Sequence, residues 1–204
     1  MITTITKEEV AQLPVEFFTG RIFVVQTENE VDKAVDYLKK HPVIGFDTET
    51  KPTFRKGQIN QVALLQLSTD DSCFLFRLNY TGFSPSLVEL LTNPSIKKIG
   101  LSIKDDFGSL RKRGTFIPQG FVDLQEIVPR YNIEEKSLQK IYAILFGKKI
   151  SKNQRLSNWE NDILTDAQKT YAATDAWACY KIYKELEHTK NGSPIKPEES
   201  RAER

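Results

Sequence analysis

One short segment constrains this chain more than any other: Val43-Ile-Gly-Phe-Asp-Thr-Glu. Its opening residues are apolar on both faces of an extended strand. That pattern suits a central strand covered on both sides, as in α/β sheets. Asp47 and Glu49 follow, two apart, so strand alternation aims them to one side. They stand at the carboxyl end of the most apolar strand, where α/β sheets place ligands. A polar strand end with two solvated acids reads the same way from this pair alone.

The strand has candidate neighbours. Residues 21–25, 61–67, 72–76, 98–101 and 121–123 carry strand patterns, and Ser68-Thr-Asp-Asp between the second and third is a hairpin-type turn. Helical patterns cover residues 28–40, 84–91, 104–113, 123–129, 136–146 and 166–186. Antiparallel strands first, then alternating elements, then helices, predict an α/β fold: one mixed central sheet with helices on both faces. Thr6-x-x-Glu9 and Thr165-x-x-Gln168 are capping-box patterns at two helix starts.

The 204 residues suit one domain. We read residues 1–20 as an N-terminal extension with a short helix, 21–188 as the domain body, and the polar stretch 189–204 as a disordered tail. No apolar run nears ~20 residues and the N-terminus has no signal-peptide pattern, so a cytoplasmic protein (nuclear in a eukaryote) with no membrane partner is expected. Two cysteines without a CxxC and only two histidines leave zinc, disulfide and histidine chemistry poorly supplied. A net charge of +2 neither favours nor excludes nucleic acid. Any active site here runs on carboxylates.

Two more acids stand out. In Ser102-Ile-Lys-Asp-Asp-Phe-Gly-Ser-Leu, the residues Ile103, Phe107 and Leu110 mark an inward helix face. Asp106 flanks that face while Asp105 projects away. Acids favoured by the helix dipole are the plain alternative. Asp175 lies within an apolar stripe with Ala172, Ala178 and Cys179, so its charge needs a partner, whether a basic side chain in a structural salt bridge or a cation. Tyr171 precedes it by one turn on the same face, where a core tyrosine is the alternative. If Asp47, Glu49, Asp106 and Asp175 converge, like charges at close range require a neutralising cation. Oxygen ligands suit Mg²⁺ or Mn²⁺.

Phe46-Asp47-Thr48-Glu49-Thr50, the Gly100…Asp106…Leu110 segment and Tyr171-x-x-x-Asp175 resemble the three motifs of the DEDD exonuclease superfamily, in its tyrosine branch. Val62-Ala-Leu-Leu-Gln-Leu, Phe121-Val-Asp-Leu, Leu156-Ser-Asn-Trp and Tyr171-Ala-Ala-Thr-Asp-Ala resemble the Werner-type domain more than ribonuclease D. The resemblance implies a ribonuclease-H-like fold and a 3′→5′ exonuclease acting through two divalent ions, Mg²⁺ or Mn²⁺. By the same resemblance Asp47 bridges both ions, Glu49 and Asp175 complete the first ion's shell, and Asp106 serves the second. Tyr171 would orient the attacking water, since a phenol of pKa ~10 is a poor base.

Thr48 and Thr50 of the first motif, Arg55, Lys56, Arg155 and Trp159 are the expected substrate contacts, with Trp159 as a stacking platform or apolar wall. Lys51, Lys148, Lys149 and Lys152 belong to the same two basic clusters, which read equally as solvated faces. Arg111-Lys-Arg at a helix end reads as a dipole effect. DNA is the preferred substrate and a separate helicase is a candidate partner; neither a helicase nor a ribonuclease-D-type C-terminal helical domain fits in the remaining residues. Ribonuclease-D-like trimming of RNA ends, a non-catalytic nucleic-acid-binding module and a metal-free scaffold are the competing readings.

Overall fold

A computed structural model of the chain describes residues 3–54, 57 and 60–190. Its elements are α1 (Lys7–Gln12), β1 (Arg21–Val25), α2 (Glu28–Leu38), β2 (Val43–Thr50), β3 (Val62–Ser68) and β4 (Ser72–Arg77). Then come α3 (Leu78–Thr81), α4 (Pro85–Thr92), β5 (Lys97–Gly100), α5 (Ile103–Leu110), β6 (Phe121–Asp123) and α6 (Leu124–Ile127). A 3₁₀ turn (Val128–Tyr131), α7 (Leu138–Phe146) and α8 (Asp166–Lys190) complete the chain.

The strands form one six-stranded sheet in the order β1-β4-β3-β2-β5-β6. β2, β3 and β4 are antiparallel neighbours, as the tight turn after Ser68 predicts. β1, β5 and β6 join their partners in parallel. β2 is therefore central, and β3 is buried at every position, β4 likewise. α2, α4 and α5 cover one face through Val31, Leu38, Phe46, Leu65, Leu87 and Leu110. α8 covers the other and packs against α7. This is the ribonuclease-H-like α/β arrangement.

Both capping boxes form. Thr6 and Glu9 exchange bonds at the start of α1, and Thr165 and Gln168 do so ahead of α8. Several helices differ by a few residues from their expected bounds. α5 stops at Leu110, and Arg113 turns inward, its guanidinium donating to the carbonyls of Val62 and Leu78. Pro129, second residue of the 3₁₀ turn, ends α6 early because it has no N–H to continue the helix. α8 runs on to Lys190, with the Thr189 hydroxyl donating to the Glu185 carbonyl at 3.0 Å. The rest of the expected tail lies outside the described residues.

The N-terminal extension is bound to the body. Phe18 is buried and its N–H donates to Thr174 Oγ1 at 3.0 Å. Glu16 pairs with Lys148 and Lys181, both at 2.9 Å, and accepts the Tyr142 hydroxyl. These donors hold its carboxyl down to about 2 against the opposing effect of burial. Among the described residues no helix is long and apolar enough to cross a membrane.

Candidate active site

α8 passes unusually close over β2 because position 45 is glycine. A Cβ there would stand 1.8 Å from the Ala176 carbonyl oxygen, far inside contact distance. Asp175 immediately precedes Ala176, so this approach carries its carboxylate down to the end of β2. There Asp47 and Glu49 face it, as strand alternation requires. One ligand oxygen from each of Asp47, Glu49 and Asp175 lies within 4.8 Å of the other two. An irregularity in the β2–β3 register between Glu49 and Thr50 ends the regular pairing beside the cluster.

Asp106, the fourth expected ligand, lies outside this trio but is electrostatically close to Asp47 and Glu49. Its carboxylate accepts the hydroxyl of Thr48, which faces the other side of β2. Asp105 is exposed while Asp106 is half-buried, as the helix spacing predicts. The helix that carries Asp106 is aimed by Asp123 at the end of β6. The two Asp123 carboxylate oxygens accept the N–H groups of Ser102 and Ile103, each at 3.1 Å, and a further N–H from Gln125 at 2.9 Å. Ser102 takes a left-handed backbone, φ 57° and ψ 36°, uncommon outside glycine, and Asp123 holds it there. Asp123, absent from the acids expected at the site, thereby orients the helix that carries Asp106. Its signal was an acid at a strand-to-helix junction, the ordinary place for an N-cap.

The electrostatics of the cluster follow from burial and crowding. Desolvation first, then the charges of Asp175, Glu49 and Asp106, push Asp47 well above the usual carboxylate range. Glu49 is pushed up to about 9 by burial and then by Asp175 and Asp106, against the pull of Arg155. Burial raises Asp175 to about 7 although Tyr171 hydrogen-bonds it and Lys152 attracts it. Asp106 rises to about 6 through burial, opposed by the Thr48 hydrogen bond. A cation in the trio would let these acids ionise together. The oxygen-only donor set fits a hard divalent ion such as Mg²⁺ or Mn²⁺.

Tyr171 sits one turn ahead of Asp175. Burial and the nearby acids raise its phenol above the ordinary value, so it keeps its proton at neutral pH. Trp159 backs it, with ring centroids 6.0 Å apart at 35°.

The expected substrate contacts divide. Arg155 and Lys152 are exposed and electrostatically close to the cluster. Thr48 serves Asp106, and Thr50 is half-buried at the end of β2. Trp159 is 0% exposed, so it offers no face to a base; the stacking expectation is corrected to a buried wall behind Tyr171. Lys51 pairs with Glu160 at 3.2 Å, tying the loop after β2 to the Trp159 segment. Lys148 and Lys149 are also corrected: they bind Glu16 and the Ala11 carbonyl and so anchor the N-terminal extension. Arg55 and Lys56 lie outside the described residues.

The chain matches the family described as 3′-5′ exonuclease over residues 22–190. It is 37% identical over 155 residues to the bifunctional 3′-5′ exonuclease/ATP-dependent helicase WRN of Mus musculus, an overlap of 73% of this chain and 11% of that protein. It is 31% identical over 199 residues to a 3′-5′ exonuclease of Arabidopsis thaliana, covering 88% of this chain and 69% of the relative. Among solved structures, the Nibbler EXO domain of Aedes aegypti superposes with a TM-score of 0.75 at 24% identity, over 86% of this chain and 94% of that one. Escherichia coli RNase D, an exoribonuclease involved in structured RNA processing, superposes with a TM-score of 0.71 at 21% identity, over 83% and 46%.

Proposed function

The chain belongs to the 3′-5′ exonuclease family, and from that premise we propose that it removes nucleotides from the 3′ end of DNA with two divalent ions held by Asp47, Glu49, Asp106 and Asp175. The observation that carries this reading is the meeting of Asp47, Glu49 and Asp175 oxygens within 4.8 Å, from positions far apart in the chain. When bound, Mg²⁺ or Mn²⁺ would supply activation of the attacking water and stabilisation of charge on the leaving 3′ oxygen.

The chain's own residues do the rest. Asp47, with a ligand oxygen within 4.8 Å of one from each of Glu49 and Asp175, would hold either ion. Asp106, fixed by Thr48 on one side and by the Asp123-capped helix on the other, holds the flank. Tyr171, kept protonated, orients the attacking water through its hydroxyl and does not act as the base. Arg155 and Lys152, exposed at the rim, attract the phosphates of the terminal nucleotides. Trp159 holds Tyr171 in place from behind.

The DNA reading is supported by the Werner-type motifs and by the 37% identity over 155 residues to the WRN relative. The likeness of fold to RNase D supports trimming of RNA ends as the second reading. A separate helicase is the proposed partner on duplex substrates. The test is a time course on 5′-labelled DNA and RNA strands of one sequence, with Mn²⁺ or EDTA. A ladder shortening from the 3′ end of DNA, dependent on Mn²⁺ and abolished in Asp47→Ala, is expected. Turnover that survives Asp47→Ala or EDTA overturns the reading, and faster loss of RNA reverses the substrate assignment.

A further inference from the structure

Behind the acidic cluster the sheet buries an amide with nothing to bond. Gln66, in the middle of β3, is 0% exposed. Neither its Oε1 nor its Nε2 has a hydrogen-bond partner among the described residues. A buried polar group left unmade costs ~1–3 kcal/mol. A leucine or methionine of similar volume would fill the place without that cost. A fold that keeps glutamine there gains something the isolated chain does not display.

The register says what the amide stands next to. Gln66 is the direct cross-strand partner of Asp47 in the antiparallel β2–β3 pair. Opposed residues share a face, with Cβ atoms ~4.5–5.5 Å apart. Amide and carboxylate therefore lie side by side beneath α8. Apart from the backbone N–H of Thr48, the surroundings offer Asp47 little else. Leu64 and Leu75, Gln66's neighbours on the same face, are buried apolar groups, and Cys73 and Cys179 are buried thiols, weak donors at best.

We propose that Gln66 is a positioning residue for Asp47: its amide N–H donates to the Asp47 oxygen turned away from the cation site and fixes the plane of that carboxylate while ions are held. A neutral donor suits the task. An arginine or lysine would neutralise Asp47 and compete with the ions, whereas an amide sets direction and leaves the full negative charge for them. Partners of this kind tune metal affinity without touching the metal. The inference rests on the reading of Asp47, Glu49 and Asp175 as a divalent-ion site.

The experiment is a Mn²⁺ titration of the whole chain followed by thermal unfolding, for the wild type, Gln66→Leu and Gln66→Met. In EDTA both variants should melt at or above the wild-type temperature, because an unpaired buried amide has been removed. The Mn²⁺ concentration giving half the ion-induced shift should rise ~10-fold or more. Cleavage should lose kcat with KM for an oligonucleotide unchanged. Midpoints within twofold of the wild type overturn the proposal, as do variants that both lose stability in EDTA, since the amide would then be supporting the ion-free fold. A wild type that shows no Mn²⁺ shift sinks the cation site itself and this inference with it, a result distinct from a wild-type shift that the variants leave unmoved.

Discussion

Gly45→Ala tests how the site is assembled. The new Cβ would lie 1.8 Å from the Ala176 carbonyl oxygen, 2.8 Å from its carbonyl carbon and 3.1 Å from Tyr180 Cβ. The nearest obstacle is helix backbone, which cannot rotate aside. Restoring ordinary contact at about 3.4 Å means lifting α8 from β2 by about 1.6 Å. Overpacking of this kind costs ~1–3 kcal/mol, which lowers Tm by ~2–12 °C in a chain of this size. Asp175 rides on the lifted turn, and a misplacement of ~1 Å at a catalytic group can cost ~10²-fold in rate. The variant should therefore lose stability modestly and activity heavily, with a weaker Mn²⁺-induced thermal shift. Thermal unfolding in EDTA, a Mn²⁺ titration and single-turnover cleavage measure the three effects. Gly108→Ala is the control, since nothing lies within 4 Å of its Cβ and helix propensity favours alanine. A Gly45→Ala protein that melts, binds Mn²⁺ and cleaves like the wild type would refute the argument that this close approach sets Asp175.

Further expectations concern protons, caps and the tyrosine. Asp106, Asp175 and Glu49, raised to about 6, 7 and 9, bind protons more tightly folded than unfolded. Their penalty is absent below the unfolded values near ~4 and grows as pH rises through the folded ones, so it builds between those limits. Mn²⁺ relieves it, so the Tm difference between Mn²⁺ and EDTA should widen from pH 5 to 8, and a flat or narrowing difference contradicts the charge assignment. Asp123→Ala, which strips acceptors from Ser102, Ile103 and Gln125, should cost ~0.5–2 kcal/mol and depress cleavage along with stability. Unchanged urea unfolding would show that α5 is aimed by something else. Tyr171→Phe should fold normally and, by leaving the attacking water unoriented, cleave ~10²-fold more slowly; a single-turnover rate equal to the wild type would remove the tyrosine from the chemistry.

Periodicity exposed most of the architecture. Alternation placed Asp47 and Glu49 on one side of β2, helical spacing chose Asp106 over Asp105, and the turn after Ser68 foretold the antiparallel run. What stayed hidden depends on tertiary neighbours. Trp159 carries no local mark that distinguishes a buried indole from an exposed one, and only the packing of α8 and Tyr171 around it decides. Lys148 and Lys149 looked like phosphate contacts because their partners, Glu16 and the Ala11 carbonyl, lie some 130 residues earlier in the chain. The pairing of Gln66 with Asp47 is a matter of strand register, which sequence patterns leave undetermined until the sheet is drawn.

The order in which the acids occur along the chain carries a consequence for biosynthesis. Asp47 and Glu49 leave the ribosome early, whereas Asp175 rides on α8, the last element among the described residues, which must dock across β2, β3, β4 and β5 before the trio exists. A nascent polypeptide, or a product clipped ahead of that helix, holds an incomplete ligand set. On the proposed ligand set, scission waits until translation has delivered α8, a consequence of topology alone.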